Sequence, residues 1–62
     1  MPATGELIRS MNYVEDITTT LRRIGITIPG MPADERKRLA DALREAGNAI
    51  NATLSELEKG AH

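Results

Sequence analysis

The chain is predicted to be all-α, an antiparallel two-helix hairpin with helices over about 4–25 and 32–59. Three observations predict it. Apolar residues recur at helical spacing on both sides of one interruption. The interruption, Gly25-Ile26-Thr27-Ile28-Pro29-Gly30-Met31-Pro32, holds four of the eight glycine and proline residues. No second run of alternating residues exists to pair as a sheet with the short Ile24–Ile28 alternation.

The first helix is expected to start at Thr4, whose hydroxyl can cap it, with Glu6 in the first turn. Leu7, Met11, Val14, Ile17, Leu21 and Ile24 then follow at steps of three or four, with Ile8 beside them. Thr18-Thr19-Thr20 is the weak stretch, because β-branched side chains lose rotamer freedom in a helix. Gly25 is read as a left-handed cap with an apolar contact between Ile26 and Leu21. Ile26 to Ile28 is read as extended, and Pro29-Gly30 as the centre of a type II turn with positive φ at the glycine. Pro32 fits the first position of the second helix, followed by Asp34 and Glu35, which the helix dipole favours there.

In the second helix Leu39, Leu43, Ala46, Ile50, Thr53 and Leu57 advance by four and three alternately, flanked by Ala40, Ala42, Ala49 and Leu54. Alternation of large and small residues suits close helix packing. Gly47 lies mid-helix at a cost of about 1 kcal/mol relative to alanine. Either another helix approaches it closely or it is a tolerated surface residue.

Sixty-two residues make one domain near the lower limit of independent folding. Two helices form a single flat layer, which buries less than a globule of equal mass. The expectation is therefore a homo-oligomer, in the simplest case a homodimeric four-helix bundle, otherwise a higher homo-oligomer. Leu7, Met11, Val14, Ile17, Leu21, Ile24, Leu39, Leu43, Ala46, Ile50, Leu54 and Leu57 would form its core.

Charge is uneven within a net of −1. Residues 22–38 carry Arg22, Arg23, Arg36, Lys37 and Arg38 against Asp34 and Glu35, a net of +3, and the remainder carries −4. One reading is structural: Arg22 and Arg23 answer the dipole of the first helix, while Asp34–Arg38 and Lys37–Asp41 are intrahelical pairs. The other is an anion site for RNA or a nucleotide. The acidic pI and the lack of aromatics for base stacking weigh against it.

No catalytic site is expected. Glu15/Asp16, Asp41/Glu45 and Glu56/Glu58 have no histidine, cysteine or tyrosine placed as a partner. The single histidine, His62, is terminal and expected to be disordered, and without cysteine there is no thiolate metal site or disulfide. No metal and no cofactor are expected. The Met1-Pro2 start is shared with tautomerases that use an N-terminal proline, but those need a strand directly after it, and Ala3-Thr4-Gly5-Glu6 offers none. No signal peptide or membrane-spanning run is present, so the expected location is the cytoplasm, where the Asn51-Ala52-Thr53 sequon is without meaning.

The function expected is that of a small regulator, adaptor or inhibitor that binds another protein and performs no chemistry. Tyr13, supported by Arg9 and Asn12, is the best single contact residue. Ile26, Ile28 and Met31 are too apolar for a solvated loop, and either plug the end of the core or meet a partner. A structural scaffold would look the same in sequence.

Overall fold

The computed structural model describes residues 4–61, so the readings of Met1-Pro2 and His62 lie outside the described residues. Helix α1 spans Gly5–Thr27, a single 3-10 turn spans Ile28–Gly30, and helix α2 spans Ala33–Lys59. No strand occurs among the described residues. The chain divides between Gly30 and Met31 into two units, each consisting essentially of one helix.

Unit one starts as its sequence dictates. Thr4 is extended, and its hydroxyl oxygen accepts the Leu7 N–H at 3.1 Å, satisfying one of the donors that a helix start leaves open. Thr4→Ala is expected to lower helix stability by about 1 kcal/mol, read as a lower melting midpoint in circular dichroism.

The end of α1 differs from expectation. Gly25 is helical, and no described glycine has a positive φ, so neither the left-handed cap nor the type II turn at Pro29-Gly30 forms. Ile26 and Thr27 continue the helix and Ile28 has helical angles, φ −59° and ψ −45°, so the segment is not extended. The alternation of Ile24, Ile26 and Ile28 was misleading because Ile24 and Ile28 are also four apart, which is helical spacing. Ile26 then falls off the stripe and is 80% exposed. Pro29 explains the stop. It has no N–H to donate back to Gly25, so the Gly25 carbonyl accepts the Ile28 N–H instead and the helix tightens into a 3-10 turn. The Thr27 hydroxyl donates to the Ile24 carbonyl at 2.7 Å.

The two added residues also move the helix end away from Arg22 and Arg23. The last turn of α1 holds no basic residue, so these two arginines do not offset the terminal dipole as expected.

Unit two begins one residue later than expected. Pro32 lies just outside α2 with φ −64° and ψ 159°, and its carbonyl accepts the Arg36 N–H at 3.0 Å. Its ring thus precedes the helix rather than opening it, since ψ is extended. Asp34 and Glu35 occupy the first turn, and Lys59 the last, both favoured by the dipole. The helix ends at Lys59, as the sequence implies, and Gly60 follows it with φ −95°. Asp41 pairs with Arg44 at 3.1 Å, not with Lys37, because the three-residue step reaches it as readily as the four-residue one. Asp34 and Arg38 likewise form no ion pair.

Gly25 and Gly47 both lie within helices, and a Cβ built at either meets nothing within 4 Å. Within one chain, Gly→Ala at each site is expected to raise stability by roughly 0.5–1 kcal/mol. Melting of the two variants checks this, and a loss at either would show a second helix packed against that glycine.

Candidate functional site

The feature that dominates both units is apolar surface in contact with water. No described residue is buried. Along α1, Leu7, Met11, Val14, Ile17 and Leu21 are all exposed, Leu21 least at 41%, and Ile24 is half-buried. Along α2, Leu43, Ile50, Leu54 and Leu57 are exposed, and Leu39 is half-buried.

These residues are arranged in seven-residue repeats. In α1 and its terminal turn, Leu7, Val14, Leu21 and Ile28 form one line, and Ile17 and Ile24 form the adjacent line. In α2, Leu43, Ile50 and Leu57 form one line and Leu39, Ala46 and Thr53 the other. A repeat of seven on a helix is the pattern of a seam made with other helices. Inclusion of Ile28 is the part that the sequence reading missed. Its helical signal, seven residues beyond Leu21, was hidden by the assumption of a turn at Gly25.

The residues singled out for partner binding do not form one patch on α1. Arg9 and Tyr13 are four apart and share a flank of the stripe, with Tyr13 58% exposed. Arg9 is held by Glu6 at 3.3 Å, both side chains in water, a pair worth at most about 1 kcal/mol. Ile26 stands on the face turned away from the stripe, and Ile28 stands on the stripe itself. Met31, in unit two, is half-buried.

The basic residues are divided between the units. Arg22 and Arg23 are adjacent on α1, while Arg36, Lys37 and Arg38 are consecutive on α2. Successive residues of a helix point about 100° apart, so three in a row fan outward and do not converge on one ligand. The start of α2, where free N–H groups could attract an anion, is occupied by Asp34 and Glu35. These two observations disfavour an anion site built within either unit alone.

Among the described residues no group of three acidic or histidine side chains is gathered as a metal site requires. Glu56 is paired with Lys59 at 3.3 Å. No described helix is long and apolar enough to cross a membrane. No protein-family model, curated protein or solved structure matches the chain.

Proposed function

We propose that the protein is a non-catalytic regulator, adaptor or inhibitor that acts by binding another protein, and that it does so as a homo-oligomer of helical hairpins, in the simplest form a four-helix bundle of two chains. The observation that carries the assembly is the exposure of both heptad stripes. Burying one such side chain contributes about 1.5–3 kcal/mol, and helices in water take most of their stability from packing of an apolar face. Like chains bring matching stripes at equal concentration, which makes a second copy the readiest cover. The binding role rests on what remains outside the stripes: Tyr13 with Arg9 on one flank of α1, and Ile26 on the face turned away from the stripe.

The test uses immobilised native protein to capture its partner, with two variants compared. Tyr13→Ala is expected to weaken capture by about tenfold or more if Tyr13 is an anchor of the interface. Replacing Arg22, Arg23, Arg36 and Arg38 together by glutamine is expected to leave it intact, and the complex is expected to persist at high salt. The opposite pattern, with steep weakening by salt and loss in the arginine variant, would identify an anionic ligand such as RNA or a nucleotide. The run of +3 over residues 22–38 is what keeps that second reading in view.

A further inference from the structure

We draw no further inference here: the strongest candidate, the exposed apolar stripe of α1 that runs from Leu7 through Val14 and Leu21 to Ile28, carries none because nothing in the structure shows what covers it or in which direction.

Discussion

Leu21→Asp is expected to dissociate the protein and unfold it in one step. Leu21 is exposed in the single chain, so a lone helix would feel only the lower helix propensity of aspartate, about 0.7 kcal/mol. At the centre of a seam the same change removes about 1.5–3 kcal/mol of apolar burial and leaves a charge without a partner, costing several kcal/mol more. A core of this size rarely supplies more than about 3–5 kcal/mol in total, so the sum exceeds what is available. Sedimentation and far-ultraviolet circular dichroism on the same sample check it. The expected pair of results is monomeric mass and loss of most helical signal. Ile26→Asp is the control. Ile26 projects off the stripe, and the folded assembly is expected to tolerate a charge there.

The second large effect is Ile50→Ala in α2. Ile50 is 46% exposed in one chain, and truncating it there would cost a small fraction of its burial energy. As a core residue facing another helix it leaves a cavity, and the expected loss is about 2–4 kcal/mol. Chemical denaturation at fixed protein concentration measures it. The size of the loss distinguishes the cases, because alanine is the better helix former and an uncovered Ile50 predicts a change near zero or slightly stabilising.

Much of the secondary structure was legible because local rules agreed. Thr4 followed by Glu6, the three-and-four spacing of Leu7 to Ile24, and the Leu43-Ile50-Leu57 line each depend only on residues close in sequence. What was misread was the end of α1. Gly25 and Pro29-Gly30 each satisfy two local geometries, since glycine accepts either sign of φ and proline fixes a φ shared by turns and helices. The deciding factor was a donor that Pro29 lacks. The charge pairs were misassigned for a similar reason: three- and four-residue steps are nearly equal in reach, and Asp41 had a partner at each.

The candidate site was less legible than the fold, for a physical reason. A catalytic or metal site is marked by residue types whose chemistry is specific, whereas a helical binding face is marked only by apolar spacing, which a core shares. The stripe of α1 could therefore be found without its partner being known. Ile28 shows the limit in one residue: its place on the apolar stripe became visible only when Gly25 proved to be helical.

Sedimentation equilibrium of the unmodified protein over a range of micromolar concentrations, with helicity followed on the same dilutions, tests the central claim most directly. Two exposed stripes that need a second copy predict a mass at an integral multiple of 6.8 kDa and a melting temperature that falls on dilution. A helical, cooperatively melting species of 6.8 kDa at every concentration would contradict it.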